Sequence, residues 1–110
     1  MAEPRAARVA LSATQIVSQL ANADGWKLHG DGDNIAIEKT YQFTNYLRTI
    51  AFVNALAYLV EQHDHHPELL VQYKSCSVRF NTHDVSGISA SDFACAKLVD
   101  ALYQPPAHPT

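Results

Sequence analysis

The chain has 110 residues, 47% hydrophobic and 17% charged, with a net charge of -3 and a pI near 6.0. That length holds one domain with one modest core. The acidic balance excludes nucleic acid as the main ligand, because phosphate binding requires a basic face and no basic run is present.

The longest apolar stretch, Ile50 to Val60, is interrupted by Asn54 and is too short to span a bilayer. Residues 1–10 mix Glu3, Pro4, Arg5 and Arg8 with small side chains, lack the apolar centre of a secretory signal, and read as a flexible arm. These features predict a cytoplasmic protein with no membrane partner. Cys76 and Cys95 stand in apolar contexts without metal spacing, which predicts buried free thiols in a reducing compartment.

A single domain is expected over residues 11–103. Ser12 with Gln15 forms a capping box that opens a first helix, and Leu11 with Ile16 is spaced as a hydrophobic staple. Ile16, Leu20 and Ala23 share a face, and Gly25 supplies a stop. Trp26 and Leu28 alternate with Lys27 and His29 as a short strand. Gly30-Asp31-Gly32-Asp33 is a turn by composition, without the spacing or closing Glu of a calcium loop. Ile35, Ile37, Tyr41 and Phe43 share one parity in a second strand, with Glu38 and Gln42 on the other.

From about Thr44 to Glu61, Tyr46, Leu47, Ile50, Val53, Ala57 and Val60 recur at helical steps. Phe52, Leu56 and Leu59 widen that stripe enough to predict burial on two sides, one against the sheet and one against a partner subunit. Pro67 ends the helix near His66. Leu69, Leu70, Val71 and Tyr73 suggest a third strand, and Ser75 to Thr82 a fourth, with Cys76, Val78 and Phe80 on one face. His83 continues the parity of Arg79 and Asn81 unless a turn redirects it. Ser89 with Asp92 opens a last helix, whose buried face is Phe93, Ala96, Val99 and Tyr103. Residues 104–110 form a proline-rich tail. The order α-β-β-α-β-β-α predicts an α+β two-layer sandwich, a four-stranded antiparallel sheet with three helices on one face.

Four of the six histidines lie between Glu61 and His83. Histidine changes charge near neutral pH, and here it is interleaved with Glu61 and Asp64. His63 and His66 are spaced to share a metal with Asp64 or His83, but the i, i+4 pair of a zinc helix is missing and no cysteine is near. Acid–base chemistry fits more of the residues. His65 and His66, adjacent past a helix end, splay to opposite sides of a flat ligand, and His83 from a strand end closes the site. Asp64 or Glu61 can hold one imidazole in a chosen tautomer. Such a site removes a proton at one place and delivers one at another, as a cofactor-free dehydration or tautomerisation requires.

Gly25-Trp26, the helix after Phe43, Asp64-His65-His66-Pro67-Glu68, Tyr73, Thr82-His83, Gly87 and Asp92 together resemble the pterin-4a-carbinolamine dehydratase family. In animals the family is also described as a dimerisation cofactor of a homeodomain transcription factor. The resemblance covers residues 10 to 103. It implies dehydration of 4a-hydroxytetrahydropterin to quinonoid dihydropterin, which recycles the pterin oxidised by aromatic amino acid hydroxylases, notably phenylalanine hydroxylase. It implies no metal and no separate cofactor, the pterin being the substrate. By matching position His65, His66 and His83 are the active-site histidines, with His65 and His83 expected to flank the C4a hydroxyl and His66 to position the ring. Asp64, Pro67, Asn81 and Thr82 line the pterin site, with Glu61 and Asp92 as supporting carboxylates, while His63 takes no part. A homodimer or homotetramer is also implied, through sheet edges and helices.

Leu69 stands where the family often has an aromatic, Lys74 where an Asn follows the Tyr, and Cys76 where a Val is usual. Leu69-Leu70 resembles the bacterial branch. The other reading compatible with these residues is a non-catalytic binding or assembly protein on the same fold, one that stabilises a partner oligomer.

Overall fold

A computed structural model of the chain describes residues 9–105. The arm expected over residues 1–10 and the tail over 104–110 lie mostly outside the described residues.

Ser12 caps α1 (Ala13–Leu20) with the expected reciprocal bonds: its hydroxyl accepts from the Gln15 N–H, and its own N–H donates to the Gln15 side chain. Leu11 and Ile16 both reach the core. The helix stops at Leu20, earlier than Gly25. That glycine instead takes a positive φ of 84° at the end of the following turn, where an added Cβ would come within 2.9 Å of Lys39.

β1 (Lys27–His29) and β2 (Ala36–Gln42) form the first hairpin. Gly30 has φ 78°, and a Cβ there would meet the Asn34 carbonyl oxygen at 2.5 Å, so the turn requires glycine. β3 (Glu68–Val71) and β4 (Ser75–Phe80) form the second hairpin. The sheet order β1-β2-β4-β3 is antiparallel throughout, with Ile37 opposite Phe80 and Tyr41 opposite Cys76 at its centre. Ile37, Tyr41, Cys76, Val78 and Phe80 pack against α1, α2 (Tyr46–His63) and α3 (Ala90–Leu102) in one core. The α+β sandwich is therefore as expected, with the opposite sheet face open.

Three local expectations are corrected. On α2 the buried line is Thr49, Phe52, Leu56 and Val60, with Val53 and Leu59 half-buried, whereas Tyr46, Leu47 and Ala57 are exposed. Two apolar stripes interleave on this helix. The one carrying Phe52 faces inward because its ring meets Tyr41, Phe43 and Tyr103 at centroid distances of 4.9, 5.1 and 6.1 Å. The third strand ends at Val71, because the Gln72 N–H turns back to the Ser75 carbonyl and leaves Tyr73 in the turn. The fourth ends at Phe80, and Thr82 pairs with Gly87 in an isolated bridge that turns the chain before His83.

One charged group breaks the apolar parity of β2. Lys39 lies between Ile37 and Tyr41, and its ammonium donates to Asp100 at 2.8 Å and to the Asp24 carbonyl at 3.0 Å. Asp100 also accepts from the Trp26 indole N–H at 3.1 Å and the Tyr41 hydroxyl at 2.5 Å. One carboxylate thus ties α3 to β2 and to Trp26, the residue just before β1. Burial, and then the Asp100 carboxylate, push the Tyr41 hydroxyl well above the usual phenol range. Burial pushes the Cys76 thiol from 9.0 up to about 11. Both residues carry no charge when folded, and Cys76 and Cys95 are buried and not joined in a disulfide.

These shifts set an alkaline limit on the fold. In the unfolded chain Cys76 and Tyr41 lose their protons at ordinary values, while the folded chain keeps them. Their contribution is therefore whole below about pH 9 and is lost as pH rises toward and beyond about 11. Urea midpoints across that interval should fall steadily. Cys76→Ala should start from a lower stability but decline less steeply between those values, and an unchanged slope would refute the role of the thiol.

Candidate active site

Asn45 caps α2 by accepting from the Arg48 N–H at 2.8 Å. The helix closes at Asp64, which takes the left-handed conformation at φ 49°, a placement an aspartate tolerates better than most residues. The His65 N–H donates back to the Val60 carbonyl at 3.2 Å. This reversal sends the two neighbouring histidines to different surroundings, whereas the sequence reading put them on opposite sides of one flat ligand.

His65 turns inward. It is 6% exposed, and its ring lies parallel to that of Phe80, with centroids 5.7 Å apart. Its Nε2 meets Asp92 Oδ1 at 2.5 Å. The other oxygen of Asp92 accepts from the Thr82 hydroxyl at 2.8 Å and from the Ser89 N–H at 2.9 Å. Ser89 Oγ lies 2.7 Å from Thr82 Oγ1 and accepts from the Ser91 N–H. Because the Thr82 proton goes to Asp92, the Ser89 hydroxyl donates to Thr82. Asp92 is fully buried, so this cluster is a closed polar network with both carboxylate oxygens engaged.

His66 turns outward. Its Nε2 lies 2.6 Å from Glu61 Oε1, one turn back on α2, and both side chains are largely exposed. His83 is exposed as well, at the start of a short 3-10 turn (His83–Val85). His66 and His83 line the same cleft, of about 280 Å³, at the end of the open sheet face. This volume is near the lower end for small-molecule sites. Asn81 lines it too, with its amide held by the Ile35 carbonyl at 3.1 Å.

The remaining walls come from residues that the histidine-centred reading passed over. His29, Gly30, Asn34 and Ala36 belong to the first hairpin, and Glu68 and Arg79 to the second. Strand parity carried a signal for them, since Lys27 and His29 of β1 fall on the same open face as Arg79 and Asn81. Among the expected site residues, His66, Asn81 and His83 meet at the cleft. His65, Thr82 and Asp92 are brought together in the buried network behind it. Glu61 holds His66, while Asp64 and Pro67 shape the chain reversal. Among the described residues no group of three or more His, Cys, Asp or Glu side chains is arranged to hold a metal ion, and no helix is long and apolar enough to cross a membrane.

Comparison with known proteins matches residues 9–102 to the family model described as pterin 4 alpha carbinolamine dehydratase. A protein of Paracidovorax citrulli that carries this enzyme's name is 58% identical over 96 residues, covering 87% of this chain and 83% of its own. The crystal structure of a transcriptional coactivator/pterin dehydratase from Brucella melitensis has a TM-score of 0.80 at 25% identity, over 86% of this chain and 99% of that one. A pterin dehydratase-like protein identified as a RuBisCO assembly factor in the alpha-carboxysome has a TM-score of 0.63 at 26% identity, over 74% and 92%. The match across nearly all of the described residues makes this chain a member of the pterin 4 alpha carbinolamine dehydratase family.

Proposed function

We propose that the protein is a 4a-hydroxytetrahydropterin dehydratase and that His66 and His83 carry its proton transfers. The observation that supports this most is their shared cleft, two imidazoles supplied by separate elements at the open end of the sheet. The reaction breaks the C4a–O bond. An acid protonates the departing hydroxyl, which leaves as water, and a base takes the proton from the neighbouring ring nitrogen as the C=N bond forms. Nothing in this balance calls for a further cofactor, because the pterin is the substrate.

Hydrogen-bond roles assign the two groups. With Glu61 accepting from Nε2–H, His66 leaves Nδ1 with its lone pair and serves as the base. His83 then supplies the proton to the hydroxyl. This revises the expectation that His65 and His83 flank the reacting carbon. His65 has Nε2 committed to Asp92 and acts through position, fixing the turn that carries His66 and, through Thr82, the segment that carries His83. Asn81 offers the cleft a polar edge for the heterocycle.

In the cell this activity would recycle pterin oxidised by an aromatic amino acid hydroxylase such as phenylalanine hydroxylase, from a cytoplasmic homodimer or homotetramer. A non-catalytic assembly role is the second reading, favoured by the likeness to the pterin dehydratase-like assembly factor. Loss of the 4a-hydroxypterin absorbance on mixing with purified protein distinguishes the two: no acceleration would leave the assembly role.

Because His66 and His83 are exposed, His66→Ala and His83→Ala should fold normally and lose about 10²- to 10⁴-fold in dehydration rate. Full rates in both variants would refute the assignment. Asp92→Ala strands the His65 ring, the Thr82 hydroxyl and the Ser89 N–H in the interior. It should cost about 3–5 kcal/mol in denaturant unfolding, at roughly 1–3 kcal/mol for each buried group left without a partner. Asp92→Asn should cost less, about 1–3 kcal/mol, because it preserves the shape but mismatches one donor.

A further inference from the structure

The cleft holds a third imidazole that the proton-transfer chemistry does not use. His29, the last residue of β1, lines it together with His66 and His83. Its cross-strand partner Ala36 carries only a methyl, so a small neighbour stands beside the ring. His29 Nδ1 lies 3.6 Å from Glu38 Oε1, and the other oxygen of Glu38 accepts from Arg79 Nε. The charged groups around this ring balance. Lys27 stands opposite Glu38, Glu38 opposite Arg79, and Arg79 opposite Glu68, so the row across the open sheet holds two cations and two carboxylates. The cleft adds His66 and His83, and the turn after β1 carries Asp31 and Asp33, neither of which lines the cleft. With the row neutral as a whole, the carboxylate oxygen nearest the ring, Glu38 Oε1, dominates its electrostatics.

Taking the pterin reading of the site as its basis, we infer that His29 docks an acceptor atom on the edge of the heterocycle, such as its lactam carbonyl, and does so as imidazolium, so that binding takes up a proton. The other two imidazoles of the cleft are committed in that reading. His66 keeps a lone pair for the ring N–H, and His83 gives its proton to the departing hydroxyl. An acceptor on the ring edge therefore needs another donor, and His29 supplies one from a separate wall, the first hairpin. Its charge follows from its two nitrogens. Nδ1 faces a carboxylate, and a carbonyl against Nε2 places acceptors at both. A neutral imidazole has one N–H and satisfies one of them, whereas imidazolium donates to both. Water can donate to a neutral Nε2 but a carbonyl cannot, so exchange of water for the ligand favours the charged form. The Glu38 contact is loose at 3.6 Å and the His29 side chain is 44% exposed, so the ring is free to titrate until the ligand completes the set.

Calorimetric titration with 7,8-dihydrobiopterin, in buffers of different ionisation enthalpy, tests this without relying on turnover. The dependence of the binding heat on the buffer counts the protons taken up. The unaltered protein should take up about half a proton or more per ligand near neutral pH, and its affinity should fall as pH rises from about 6 to about 8. His29→Gln keeps an N–H donor but cannot take a charge. It should remove most of the uptake, flatten the pH dependence and weaken binding about tenfold at the acid end, because a charged donor binds roughly twice as strongly as a neutral one. Glu38→Gln, which leaves His29 in place and removes the carboxylate at Nδ1, should also reduce the uptake. An uptake or an affinity that His29→Gln leaves unmoved overturns the inference while the pterin reading stands. Failure of the unaltered protein to bind 7,8-dihydrobiopterin removes the pterin reading of the cleft instead, and this inference with it.

Discussion

The buried carboxylate of Asp92 is the constraint on which the site depends. A fully buried acid is costly to desolvate unless its lone pairs are filled, and here three donors from three segments fill them. The Ser89 N–H comes from the start of α3, the Thr82 hydroxyl from the end of the β4 segment, and the His65 ring from the reversal after α2. These same segments carry His66 and His83. The cost of burying the charge is offset only when all three arrive together, so the polar network fixes the registration that the apolar core alone would leave loose. A hydrophobic core specifies volume well and angular placement less well.

The sheet separates support from chemistry. Its covered face holds Phe80, on which His65 lies, and the hub of Trp26, Lys39 and Tyr41 around Asp100. Its open face holds Arg79 and Asn81 and leads to the exposed histidines. Strand alternation makes this division automatic: Phe80 points into the core, while Arg79 and Asn81 on either side point to the cleft. A one-residue slip of β4 would exchange the two sets, burying Arg79 and exposing Phe80. The paired glutamates across from Arg79 therefore also favour the correct register.

Local signals were legible and convergent ones were not. The capping boxes at Ser12 and Ser89 depend on residues three apart, and both form as the sequence indicates. The hairpins and the α+β order follow from period-two alternation and turn residues in the same way. Asp92 was visible as the third residue of its helix and as a supporting carboxylate of the resembled family. Its bond to His65, 27 residues away, required the fold. Periodicity on α2 could not choose between two interleaved apolar stripes, because the choice rests on which one meets Tyr41, Phe43 and Tyr103. Lys39 looked out of place on an apolar parity for the same reason, its partner Asp100 lying in the last helix. The His65-His66 pair announced that two rings would diverge. Which ring would turn inward was decided by the left-handed closure at Asp64 and the acceptor waiting on α3.

Two histidine–carboxylate pairs of similar length thus occupy opposite dielectric settings, and the difference separates their work. His65 and Asp92 are sealed from water, where a hydrogen bond is held tightly and cannot be exchanged without disturbing the fold. His66 and Glu61 sit in solvent, where the same contact contributes little to stability, at most about 1 kcal/mol for exposed pairs generally. A group that must accept and release protons in each cycle belongs in the second setting, since its changes of charge then leave the core untouched. A group that must hold a turn in one geometry belongs in the first. The chain reversal at Asp64 places one ring in each setting from consecutive positions, so the buried support and the exposed imidazole proposed to carry protons share a backbone while remaining electrostatically separate.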